Sequence, residues 1–138
     1  MKPVLTVKPT ESSEILDQLV DFAWDVRERA HVVGKTKVGC AAMSADGEIF
    51  VGCNVEHVFR CHDVHAEVNA ITSMVAGGAT KLAIIVIAAE RERFTPCGGC
   101  LDWIFQFGGD NCLVVSQALR GGKFFKARAR ELMPFYPR

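Results

Sequence analysis

Residues 65–109 read HAEVNAITSMVAGGATKLAIIVIAAERERFTPCGGCLDWIFQFGG, and the organisation of the chain follows from this stretch. It opens with apolar positions at helical spacing, through Ile71, Met74 and Val75, and that pattern stops at Gly77-Gly78. Leu82 to Ala89 is then an unbroken apolar run rich in Ile and Val, as a central strand covered on both faces requires. A charged connection, Arg91 to Thr95, leads to Pro96 and to a second helix through Trp103, Ile104 and Phe107 that ends at Gly108-Gly109.

Both helices begin with unusual residues: His65-Ala66-Glu67 in one, Pro96-Cys97-Gly98-Gly99-Cys100 in the other. Cys97 and Cys100, three apart in a first turn, share one face of their helix. A helix N-terminus also carries unpaired N–H groups and partial positive charge, which stabilise thiolates. With His65 at the start of the other helix, one nitrogen and two sulfurs converge as a three-ligand zinc site, one Zn2+ per subunit. Its fourth tetrahedral position stays open for water, the arrangement of a catalytic rather than a structural zinc. Zinc so bound lowers the pKa of its water to roughly 7. The two thiolates balance the dication. Glu67, two positions from His65, points beside it toward the open position and is placed as the proton shuttle. The alternative is a structural site in which Cys61 or His62 supplies a fourth ligand, giving a zinc-stabilised module without activity.

Outward from this core, Ser12 or Ser13 caps a helix through Ile15, Leu16, Leu19, Val20, Ala23, Val26 and Ala30, with Gly34 as its stop. Val38 to Ser44 and Glu48 to Cys53 form a hairpin about Ala45-Asp46-Gly47. Asn54 to Val64 is irregular, with Asp63 a cap for the helix that follows. Asn111 to Ser116 and Lys123 to Phe125 read as strands, and Ala129 to Met133 as a short helix ended by Pro134. The expectation is an α/β protein in which helices cover the faces of one sheet, with residues 1–138 forming a single domain.

Composition narrows the partners. Lys plus Arg total 16, as do Asp plus Glu, so no bulk charge points to nucleic acid or to a membrane surface. The run Lys123, Lys126, Arg128, Arg130 reads as a solvated face, and Trp24, Trp103, Phe105 and Phe107 as core or subunit contacts. No apolar window approaches a membrane span. Six cysteines without a secretory leader fit a reducing, cytoplasmic setting.

At these residues the chain resembles the cytidine deaminase family, in particular its small single-domain enzymes, from about Val38 to Pro134. His65-Ala66-Glu67 with Pro96-Cys97-Gly98-Gly99-Cys100 matches the H-x-E…P-C-x-x-C signature of zinc nucleobase deaminases. Gly52-Cys53-Asn54-Val55-Glu56 is similar to the family's Gly-x-Asn-x-Glu, which implies that Asn54 and Glu56 bind ribose. Glu131-Leu132-Met133-Pro134 is similar to the family's Glu-Leu-Leu-Pro, and the resemblance makes Phe135 or Tyr136 the aromatic that closes a neighbouring subunit's pocket. It further implies a three-layer α/β/α sandwich on a five-stranded mixed sheet and a homotetramer, or a dimer. Backbone groups near Ala66, Thr95 and Cys97 would hold the base. The implied reaction is hydrolytic deamination of a free cytosine nucleoside, cytidine or deoxycytidine, by zinc-bound hydroxide, with a modified cytosine nucleoside such as blasticidin S as the alternative substrate. Three positions depart from the family pattern. Val68 stands where small relatives have Arg after Cys-Ala-Glu, Thr36-Lys37 where many have Phe-Pro, and Leu101-Asp102 where Arg-Gln is usual.

Overall fold

The hydroxyl of Ser12, in extended backbone, accepts the N–H of Ile15 and starts helix α1 (Ser13–Arg27). Leu16, Leu19, Val20, Ala23 and Trp24 recur at helical spacing and make its buried face. The computed structural model that shows this describes residues 11–137.

Strands β1 (Val38–Ser44), β2 (Ile49–Cys53), β3 (Leu82–Ala89), β4 (Leu113–Gln117) and β5 (Phe124–Arg128) form one five-stranded sheet in the order β2-β1-β3-β4-β5. The β3–β4 pair is parallel and the other three pairs are antiparallel, so the sheet is mixed. A parallel pair needs a crossover, and helix α3 (Gly98–Gly108) provides it. Helix α2 (Ala66–Ala76) joins β2 to β3, and the short helix α4 (Ala129–Leu132) follows β5.

Alternation along the strands sorts the core into two halves. Ala41 and Met43 of β1, with Ile84 and Val86 of β3, pack against α1. Cys40, Ala42, Ile85 and Ile87 face the other way, onto Ile71 and Met74 of α2 and Ile104 of α3. The expected three-layer sandwich follows. Two glycines let the layers close: a Cβ on Gly39 would sit 1.9 Å from the Ala23 carbonyl of α1, and one on Gly52 2.3 Å from the Ala70 nitrogen of α2. Across the α1 side, the buried Trp24 Nε1 donates to Gln117 Oε1 at 2.7 Å. No helix among the described residues is long and apolar enough to cross a membrane.

Two local expectations are corrected. Helix α1 ends at Arg27, not near Gly34. The backbone of His31 is drawn into a parallel bridge with Val55, accepting the Glu56 N–H and donating to the Asn54 carbonyl. Asp63 does not cap α2; His65 holds that position, and Asp63 closes a 3₁₀ turn, Arg60–His62. Its carboxylate accepts the His57 N–H at 2.7 Å and pairs with Arg60 at 2.8 Å, so it serves the preceding loop.

Candidate active site

The corner between α2 and α3 is made by two helix starts. His65 and Cys97 occupy the N-cap positions with extended backbone, and neither side chain caps its own helix. They turn toward each other instead. His65 Nδ1 lies 3.2 Å from Cys100 Sγ and 3.5 Å from Cys97 Sγ, and the three ligand atoms all fall within 4.8 Å. A tetrahedral zinc with Zn–N of about 2.0 Å and Zn–S of about 2.3 Å sets nitrogen and sulfur roughly 3.5 Å apart. The donor set fits zinc in both chemistry and spacing. Neither Cys61 nor His62 joins this cluster among the described residues, and both are exposed.

Burial, and then the charge of Glu67, pushes the Cys100 thiol far above its usual range. A metal dication and the positive ends of two helices oppose that shift, so thiolate formation and metal binding are coupled here. Cys100 is buried, whereas His65 and Cys97 reach the surface, so the corner is anchored from inside and open from outside.

Glu67, in the first turn of α2, is 3 % exposed. Burial raises its carboxyl above the ordinary range, although hydrogen bonds from its own backbone N–H and from Cys100 oppose the shift. A carboxyl so held retains a proton more readily than one in water, the property a proton carrier needs.

His65, Glu67 and Cys97 line a cleft of about 240 Å³. Ala66, Thr95, Asn54 and Glu56 border it as well. The Asn54 amide is already bonded at both ends, Oδ1 accepting the buried Val38 N–H and Nδ2 donating to the Thr36 carbonyl, each at 2.8 Å. Glu56 Oε1 accepts the N–H groups of Val33 and Gly34, and Oε2 pairs with Arg60 at 3.1 Å. Those N–H groups, Gly34 first, hold its carboxyl below the usual range. Both residues therefore brace loops as well as facing the cleft. Each keeps a further hydrogen-bonding position, since amide and carboxylate oxygens each accept more than once.

Phe135 and Tyr136 do not line this chain's cleft. Phe135 is 95 % exposed, and Tyr136 stacks on Phe105 with centroids 4.0 Å apart. The sequence does not single out several further lining residues, among them Arg60, Arg91 and Phe94. Arg60 opens the short 3₁₀ turn and Arg91 and Phe94 sit in an irregular segment, all without periodicity, where only the charged character of Arg91 to Thr95 is a signal. Thr36, at the family's Phe-Pro position, does border the cleft. Trp103 stacks on Phe107 and borders the outer face of the corner, beside His65, Cys97 and Cys100.

Comparison with known proteins identifies the family. Residues 13–116 match the sequence family described as cytidine and deoxycytidylate deaminase zinc-binding region. A probable cytidine deaminase of Dictyostelium discoideum is 30% identical over 126 residues, covering 89% of this chain and 84% of the relative. A cytidine deaminase of Sporosarcina psychrophila is 30% identical over 108 residues, 77% of this chain and 79% of that one. The crystal structure of cytidine deaminase from Burkholderia pseudomallei superimposes with a TM-score of 0.78 at 30% identity, covering 86% of this chain and 95% of its own.

Proposed function

The chain belongs to the cytidine and deoxycytidylate deaminase family of zinc-dependent hydrolases, and from that premise we propose that it deaminates a free cytosine nucleoside, cytidine or deoxycytidine. The observation that carries the proposal is the buried Glu67 carboxylate, hydrogen-bonded to Cys100 in the same corner as His65 and Cys97. Those three residues would hold a zinc ion, which would supply a Lewis acid for activating water at neutral pH. Glu67 takes the proton released as the new C–O bond forms at C4 of the base. It passes that proton to ring N3, then takes the proton of the C4 hydroxyl and gives it to the amino nitrogen, so that the C4–N bond breaks, the C4 carbonyl forms and ammonia leaves a uracil ring. Backbone groups around Ala66, Thr95 and Cys97 orient the base, and Asn54 and Glu56 meet the ribose hydroxyls with their remaining positions.

A second substrate reading, a modified cytosine nucleoside such as blasticidin S, is favoured by Thr36 in the cleft wall in place of the family's phenylalanine. The family resemblance favours a homo-oligomer, tetramer before dimer, for which exposed Val58, Phe59 and Phe135 offer apolar surface, and light scattering tests it directly. The deciding experiment is ammonia release from cytidine, deoxycytidine and blasticidin S with bound zinc quantified. Turnover of the simple nucleosides is expected. Stoichiometric zinc with no ammonia from any of the three overturns the reading, and turnover of blasticidin S alone selects the second substrate.

A further inference from the structure

The ligand cluster has a second face. A groove of about 270 Å³ runs along the outside of the corner, and His65, Cys97 and Cys100 all line it. The cleft beside Glu67 is lined by His65 and Cys97 but, among the described residues, not by Cys100. The outer groove is therefore the cavity that meets the whole donor set. Its walls come from the next turn of each helix. Val68 stands three residues after His65 at the start of α2, and Trp103 three after Cys100 on α3, so each shares a face with its ligand. Trp103 is 37 % exposed and stacks on Phe107 with centroids 6.1 Å apart, which holds the indole at the groove's edge.

The side chains along this groove keep it open and suit it to a cation. Gly99 lines it without a side chain, and a Cβ there would meet only Cys97 Sγ, at 3.9 Å, an ordinary contact. Val68 is short and uncharged where the small relatives carry Arg. Asp63 supplies the groove's carboxylate, and no Lys or Arg lines it among the described residues. The cleft beside Glu67 instead mixes carboxylates with the guanidinium groups of Arg60 and Arg91. A dication approaching along the groove meets attraction without that repulsion.

We propose that the outer groove is the port through which zinc enters and leaves the cluster, so that a soluble donor of the thiol or amino-carboxylate class loads or strips the metal without entering the cleft beside Glu67. Cys97, exposed, is the ligand an incoming donor meets first, and Cys100, buried, is the last to let go. The exchange is ligand substitution: the donor's lone pairs replace those of His65, Cys97 and Cys100, and no atom is oxidised or reduced. It requires the zinc centre and no particular substrate.

The test is the rate of zinc release from the loaded chain to an excess of a chromogenic pyridylazo chelator, with the zinc dissociation constant measured by equilibrium competition against the same chelator. A port changes the barrier to entry and exit alike, so altering it changes the rate and leaves the dissociation constant in place. Damage to the ligands moves the dissociation constant. Trp103→Ala, which widens the groove, should speed release and Gly99→Leu, which narrows it, should slow release, each by roughly threefold or more at an unchanged dissociation constant. Trp103→Phe should restore the parental rate. Thr36→Phe narrows the other cleft and should leave release as it was. Gly99 is exposed and its Cβ position is uncrowded, so Gly99→Leu keeps the test decisive if Trp103→Ala fails to fold. Release unmoved by Gly99→Leu, release slowed by Thr36→Phe, or rate changes matched by the dissociation constant overturn the proposal. A parent chain that holds no zinc overturns it together with the metal centre.

Discussion

The corner that holds His65, Glu67, Cys97 and Cys100 stands on the first turns of two core-packed helices, whereas the wall that Asn54 and Glu56 contribute to the cleft is loop held in place by single side chains. In the corner, Ala66, Glu67, Cys100 and Leu101 are buried, and the reactive groups inherit the rigidity of α2 and α3. In the wall, the Asn54 amide fastens the start of β1 and the Thr36 carbonyl before it, and the Glu56 carboxylate fastens Val33 and Gly34, which belong to no strand. The difference separates two tasks. Substitutions in the corner should act on metal and turnover, and substitutions in the wall on substrate binding and on stability.

The separation is challenged most severely by Cys100→Ala. It removes the buried ligand, so zinc content should fall well below one per chain and turnover to background, as read by metal analysis and ammonia release. Full metal in this variant would show that the corner is not the metal site. Glu67→Gln comes next, with kcat lowered about 10²–10⁴-fold while zinc content and KM stay near those of the parent. A large rise in KM with kcat kept would move Glu67 to the binding side of the comparison. Asn54→Ala is expected to act differently. It leaves the buried Val38 N–H and the Thr36 carbonyl unpaired, costing roughly 1–3 kcal/mol in urea unfolding, and raises KM more than it lowers kcat. Unchanged stability would remove Asn54 from the bracing role.

The smallest effect is a pH dependence. The Glu56 carboxyl is held below its usual range, chiefly by the Gly34 N–H, so its folded pKa lies below its unfolded one. Its stabilising contribution is complete above the unfolded value and fades as pH falls through the folded one. Urea midpoints measured from neutral pH down to about pH 3 should therefore drop less steeply in Glu56→Gln than in the parent. Identical slopes would show that Glu56 does not fasten the Val33–Gly34 turn.

The same contrast explains what could be read from the sequence. The α2–β3–α3 block was legible because long periodic and apolar runs specify element type and burial together, and its ligands stand at spacings that only a helix start brings together. The end of α1 was not. Val26 and Ala30 continue the helical spacing, but the His31 backbone is captured by Val55, a pairing set by tertiary contact. Asp63 was misread for the same reason: a short acidic residue before a helix suits a cap, yet the nearer His57 N–H and Arg60 claim its carboxylate. Arg91 and Phe94 belong to an irregular segment whose position over the cleft depends on the sheet edge beneath it.

Trp24 and Trp103 lie on opposite sides of the sheet, one sealed in the α1 layer and hydrogen-bonded to Gln117, the other half-exposed on α3 beside the ligand cluster. The molecule thus carries two optical reporters with separate origins. Light emitted from the dry indole of Trp24 tracks the integrity of the α1 layer, and the redder emission of Trp103 tracks the chemistry of the neighbouring sulfurs. Loading and melting of the protein can be followed in one cuvette as two different colours.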